Sequence, residues 1–112
     1  MPLPFLPSGQ HTVTLRAINA GADLVCATKS FVEPVIDGHE TLNLPTLVWL
    51  IENNRTGQKI IFDNGTRKDF WNLAPAAQDV LRLCIPHMHV RTDVPTVLEQ
   101  AGYVLNEICM YY

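Results

Sequence analysis

The chain has 112 residues, 47% of them hydrophobic and 17% charged, with eleven acidic against eight basic side chains for a net charge of −3. That length suits one small domain, the apolar content is too high for a disordered chain, and the dispersed Lys and Arg exclude nucleic acid as a partner. No run approaches the roughly 18 apolar residues needed to span a bilayer, and Met1–Ser8 carries three prolines without a positive region, so neither a membrane nor a secretory route is expected and the location reads as cytoplasmic.

Residues 1–11 are Pro-rich and predict an extended arm. From Thr12 to Ile18 the pattern alternates, with Val13, Leu15 and Ala17 on one side and Thr12, Thr14 and Arg16 on the other, the period of a half-buried strand. Residues 19–45 hold little periodicity beyond a short strand at Leu24–Ala27 and predict a long loop. Thr46–Glu52 is a nearly continuous apolar run, as expected of a strand buried on both faces. Asn53–Gly57 supplies the Asn and Gly that a hairpin loop uses, and Lys59–Phe62 is the partner strand. Thr66–Leu73 predicts a turn or short helix bearing Phe70 and Trp71.

Ala77, Val80, Leu81, Cys84 and Ile85 recur at helical spacing between Pro75 and Pro86, and place Cys84 in the core. Val94, Val97, Leu98 and Ala101 repeat that spacing, with Asp93 as N-cap, Pro95 in the first turn and Gly102 as the stop. A last strand should begin at Val104. Cys26, Cys84 and Cys109 are odd in number and widely spaced, so no disulfide framework is expected. Low charge and a mean hydropathy of +0.08 predict excess apolar surface, which either a severed half-domain or a tight oligomer exposes.

The run Asn43-Leu44-Pro45, the strands Thr46–Glu52 and Lys59–Phe62, the turn Asp63-Asn64-Gly65 and the later Ala101-Gly102-Tyr103 resemble the opening of metallo-β-lactamase-fold hydrolases, lactonase-like branch. That family has Thr in the middle of the Asp-Thr-Gly turn, where this chain has Asn64. The resemblance covers residues 12–108 and implies an α+β half of an αββα fold. The expected sheet is mixed or antiparallel, of about three to five strands, with two helices packed on one face. It also implies one or two zinc ions in full-length relatives, acting on a small lactone, lactam or ester. In the family the next strand leads into His-x-His-x-Asp-His, whereas this chain reads Cys109-Met-Tyr-Tyr112. The expectation is therefore an amino-terminal half, with an altered ending from a frameshift, mis-splicing or gene-model error. It holds no catalytic residue or metal ligand, needs no cofactor of its own and is inactive alone.

Three features carry candidate chemistry. Asp63 and Gly65 form a carboxylate-bearing turn at a strand end. The resemblance places this turn beside the metal site, orienting its ligands; by itself the turn needs Asp63 only to cap its own amides. His87 and His89 lie two apart and would share a face if extended. The family motif, however, would need Asp at 91 and His at 92, where Arg91 and Thr92 stand, so the segment reads as a polar connection between helices. Phe70 and Trp71 could wall an apolar substrate pocket or simply pack. A Gly-x-Ser-x-Gly elbow and a glycine-rich phosphate loop are both missing from the sequence. The alternative reading is a non-catalytic module that docks through its sheet and helix faces onto a second copy or a full-length relative.

Overall fold

The computed structural model describes residues 8–111, so most of the expected arm lies outside the described residues, as does Tyr112. The elements in chain order are β1 (Val13–Ala27), β2 (Thr41–Asn53), β3 (Lys59–Phe62), α1 (Pro75–Cys84), β4 (His87–Val90), α2 (Val94–Gln100) and β5 (Ile108–Tyr111). Single 3-10 turns sit at Thr28–Ser30, Phe70–Asn72 and Leu105–Glu107. The strands form one sheet in the order β4-β1-β2-β3-β5. Its pairs are antiparallel except β3 with β5, which run parallel. This is the mixed α+β arrangement expected, at the upper limit of the strand count.

Residues 19–45 depart from the expected loop. β1 does not stop at Ile18; it continues to Ala27 across a bulge, because Asn19 faces Leu47 while Asp23 faces Pro45, leaving two extra residues in β1. The Asn19 side chain accepts the Gly21 N–H at 2.8 Å and Gly21 adopts φ +74°. The bulge bends the strand and re-aims its second half, so that Ala22–Val25 pairs with β4 on one side while Asp23–Ala27 pairs with β2 on the other. A bulged strand has no unbroken alternation, which is why this stretch reads as loop from sequence.

β2 also differs from expectation. Val48 and Leu50 are buried but Leu47 and Trp49 are exposed, so the strand is covered on one face only. The expected inner side of β1 is the outer one, with Val13 and Leu15 exposed. The β2–β3 loop is as predicted: Asn53 Oδ1 accepts the Arg55 and Thr56 N–H groups at 3.0 and 3.2 Å, and Gly57 at φ +72° closes the turn.

The core is Ala20, Val48, Leu50, Ile61, Val94 and Leu98, extended by Ile18, Tyr103, Leu105 and Ile108. α2 supplies Val94 and Leu98 to it from the covered face. Asp93 caps that helix, accepting the Thr96 N–H at 3.0 Å, and Gly102 at φ +87° ends it. α1 forms where the periodicity predicts, but its ten residues are exposed or half-buried. Its apolar stripe therefore does not close on the core, and Cys84 is half-buried. Periodicity shows that a helix has an apolar face, not that a partner covers it.

Leu50→Ala should cost about 2–5 kcal/mol in urea unfolding, whereas Leu83→Ala, at a residue 78% exposed on α1, should change stability by less than about 0.5 kcal/mol. Hydrogen bonding by the Thr96 hydroxyl, then by its backbone N–H, holds the Asp93 carboxyl below the usual range. The folded value is thus lower than the unfolded one, so the cap's stabilisation is present above the ordinary aspartate range and is lost as pH falls through the folded value. Asp93→Ala should cost about 1 kcal/mol at neutral pH, and melts recorded at falling pH should show that gap closing.

Candidate functional site

β3 buries Ile61 and leaves Phe62 exposed, and the chain then turns away from the sheet at Asp63. Asp63 has φ +70°, a left-handed conformation that Asp tolerates better than most residues. Its Oδ1 accepts the Gly65 N–H at 2.9 Å, so the carboxylate closes the turn through its own neighbouring amide. Gly65 has φ +62°. A Cβ there would lie 2.7 Å from the Ala20 Cβ and 3.2 Å from side-chain carbons of Val48 and Val94. The turn is therefore pressed against the β1 bulge and the first residue of α2.

Asn64 was visible in the sequence only as a departure from Thr. Its side-chain oxygen is buried without a hydrogen-bond partner, an arrangement that costs free energy unless something outside this set of residues donates to it. Phe62, Asp63, Asn64 and Gly65 line an open hollow of about 370 Å³. Beyond it, Arg67 grips both Asp69 oxygens at 2.6 Å. Those hydrogen bonds pull the exposed Asp69 carboxyl down to about 2, so the two charges in the following loop answer each other.

The connection between α1 and α2 that holds His87 and His89 is a strand rather than an irregular polar link. They belong to the edge strand β4, with His89 opposite Asp23 and His87 opposite Val25. His87 and His89 are exposed, whereas Met88 and Val90 are half-buried. The alternation of His-Met-His-Val carried the strand signal, but four residues between two helices are too few for it to stand out. Asp23, across from His89, is paired with Arg91.

Phe70 and Trp71 meet edge to face, with centroids 5.4 Å apart and planes at 73°. They line an open hollow of about 320 Å³ with residues of α1 and β4, including Leu81, Arg82 and Met88. Its lining residues are separate from those around Asp63. The structure thus keeps the candidate aromatic wall and the candidate carboxylate in different hollows.

A catalytic zinc takes about three protein ligands. Among the described residues no group of three or more His, Cys, Asp or Glu side chains is close enough to hold a metal ion. Asp63 is engaged by its own turn and Asp23 by Arg91, so neither completes the His87 and His89 pair. The described residues do not fit a metal centre.

Comparison with known proteins relates the chain to metallo-hydrolases and lactamases. It is 30% identical over 95 residues to the metallo-hydrolase mfmC of Annulohypoxylon moriforme, covering 85% of this chain and 24% of that protein. It is also 30% identical over 108 residues to the gamma-lactamase FDB1 of Fusarium pseudograminearum strain CS3096, covering 92% of this chain and 26% of that protein. The chain thus spans about a quarter of the length of the curated relatives it matches. No family model matches it. No solved structure matches it either.

Gly65→Ala should destabilise the chain by about 2 kcal/mol or more, since it adds a steric clash to an unfavourable φ. Gly57→Ala, at φ +72° with open space around it, should cost only about 1 kcal/mol. Denaturant midpoints of the two variants measured side by side check the difference.

Proposed function

We propose that this chain forms the first sheet layer of a metallo-β-lactamase-type hydrolase domain, the lactonase-like amino-terminal half, and that it is inactive alone. The observation that carries this reading is the pair of 30%-identical matches, which extend across nearly the whole chain to proteins named as a metallo-hydrolase and a gamma-lactamase. In a complete domain of this kind zinc would activate water against a lactone, lactam or ester. The ligands for that zinc would come from residues other than those described here.

Asp63 would then act as a positioning residue. Its Oδ1 is taken by Gly65, which leaves a second carboxylate oxygen, and the next residue, Asn64, carries an unpartnered amide oxygen. Acceptors so placed suit the ring N–H of a metal-bound imidazole, a group that such histidines ordinarily donate to a carboxylate or carbonyl. The three free cysteines agree with a reducing compartment, and we place the protein in the cytoplasm. Among the described residues no helix is long and apolar enough to cross a membrane.

The purified chain with added zinc should hydrolyse neither a chromogenic lactone nor a chromogenic lactam above the buffer rate; turnover abolished by chelation would overturn the claim of inactivity. The positive half of the reading calls for a chimera in which residues 12–108 replace the matching quarter of the gamma-lactamase. That chimera should bind zinc and open a lactam, and Asp63→Ala within it should lower activity by about 10–100-fold. A folded chimera whose activity ignores Asp63→Ala removes Asp63 from the site.

A further inference from the structure

The hollow between α1, the Phe70–Asn72 turn and β4 has apolar walls and a single charged group. Phe70, Trp71, Leu81, Ile85, Pro86 and Met88 form the walls, with Gln78 and Arg82 as the polar members. The lining thus includes a cation and no acid. Met88 stands opposite Leu24, and Leu24 opposite Leu44. Leu44 is in phase along β2 with the buried Val48, since alternate residues of a strand share a face. The hollow therefore lies on the α2 side of the sheet. A completing sheet layer of the kind proposed above would cover the other side and leave this hollow open.

The Arg82 guanidinium is held in place without being neutralised. Its Nη2 donates to Gln78 Oε1 at 3.2 Å, and Gln78 Nε2 donates in turn to the Leu73 carbonyl at 2.8 Å. This relay ties the cation to the segment that bears Phe70 and Trp71. Asp79 meets Nη1 at 3.4 Å, but both side chains are 74% exposed, and an ion pair so open to water contributes little. A guanidinium has five N–H donors, so most of them remain for a ligand. Trp71 is 64% exposed and meets Phe70 edge to face, which leaves aromatic surface free for a third ring.

We propose that this hollow binds a small aromatic carboxylate, its ring against Trp71 and Phe70 and its carboxylate on Arg82. Charge and size select this class of ligand. A guanidinium presents paired N–H groups that match the oxygens of a carboxylate, whereas an amine would be repelled. Bare phosphate or sulfate would gain nothing from the apolar walls. A volume of about 320 Å³ is at the small end for ligand pockets, which suits one or two fused rings and excludes a long acyl chain. The ligand touches α1, the turn and β4 together, so binding fastens α1, a helix with no buried residue, to the sheet edge. The site is separate from the Asp63 corner, and the proposal stands whatever reaction a complete domain performs.

Calorimetric titration of the purified chain with naphthoate tests it. Saturable one-to-one binding is expected, with a Kd of about 0.1–1 mM. Arg82→Gln and Trp71→Ala, both at exposed positions, should each weaken binding about tenfold or more. The uncharged analogue naphthalenemethanol should bind the wild type about tenfold more weakly than naphthoate. Asp79→Ala, which removes the competing acid, should bind naphthoate at least as tightly as the wild type. Trp49→Leu, on the opposite apolar face of the sheet, should leave the affinity unchanged. Absence of saturation at about ten times the expected Kd overturns the proposal. So does an affinity indifferent to Arg82→Gln or to loss of the carboxylate, which would reduce the binding to unspecific apolar contact. Affinity lost in Trp49→Leu also overturns it, by assigning the ligand to the other face.

Discussion

Everything in this chain is arranged around the close approach of Gly65 to Ala20. Three elements meet there: the bulge of β1, the turn that follows β3 and the start of α2. A Cβ on Gly65 would stand 2.7 Å from that of Ala20. The bulge has the same constraint on its other side, where a Cβ on Gly21 would clash with the Thr92 methyl and the Gly21 carbonyl accepts the Arg91 N–H at 2.8 Å. Two glycines with positive φ thus let three pieces of backbone come closer than side chains permit. α2 meets the sheet at this junction through Val94, which also belongs to the core with Leu98.

The junction also explains why the Asp63 turn is well defined in so open a molecule. The turn follows a short strand and lines a hollow open to solvent, a setting in which loops are ordinarily mobile. Its conformation is nevertheless over-determined, by the Asp63 to Gly65 hydrogen bond within and by the packing of Gly65 below. A left-handed φ at a carboxylate persists only where the surroundings enforce it, and here both constraints are visible.

Local signals in the sequence were enough to locate both helices, the Asp93 cap, the Gly102 stop and the Asn53–Gly57 hairpin loop, because each depends on a few adjacent residues. The differences between expectation and structure share another origin. Val13, Leu15 and the outer residues of β2 are apolar, but apolarity in a strand does not by itself mean burial; only the strand register shows which face α2 covers. The α1 stripe is the helical case of the same ambiguity. The continuation of β1 through Asn19–Ala22 was hidden because a bulge breaks alternation, and β4 because four residues give too short a period. At the candidate site, Asp63 and Gly65 could be read from the turn chemistry and the family resemblance. Asn64 could not, since nothing in its identity reveals that its oxygen is buried and unpaired.

The chemistry of the Asp63 corner sets what any completing layer must bring. The corner offers acceptors: a carboxylate with one oxygen already engaged and an amide oxygen with no partner. Acceptors in a partly buried turn are stabilised by donors, and burying them against an apolar surface would instead cost the desolvation of both. The apolar centre of the outer sheet face has the opposite requirement, since Leu47, Trp49 and Phe62 gain only from apolar cover. One molecule thus presents two different demands. Any layer that completes the molecule must therefore bring apolar cover to the sheet face and a donor to the Asn64 oxygen.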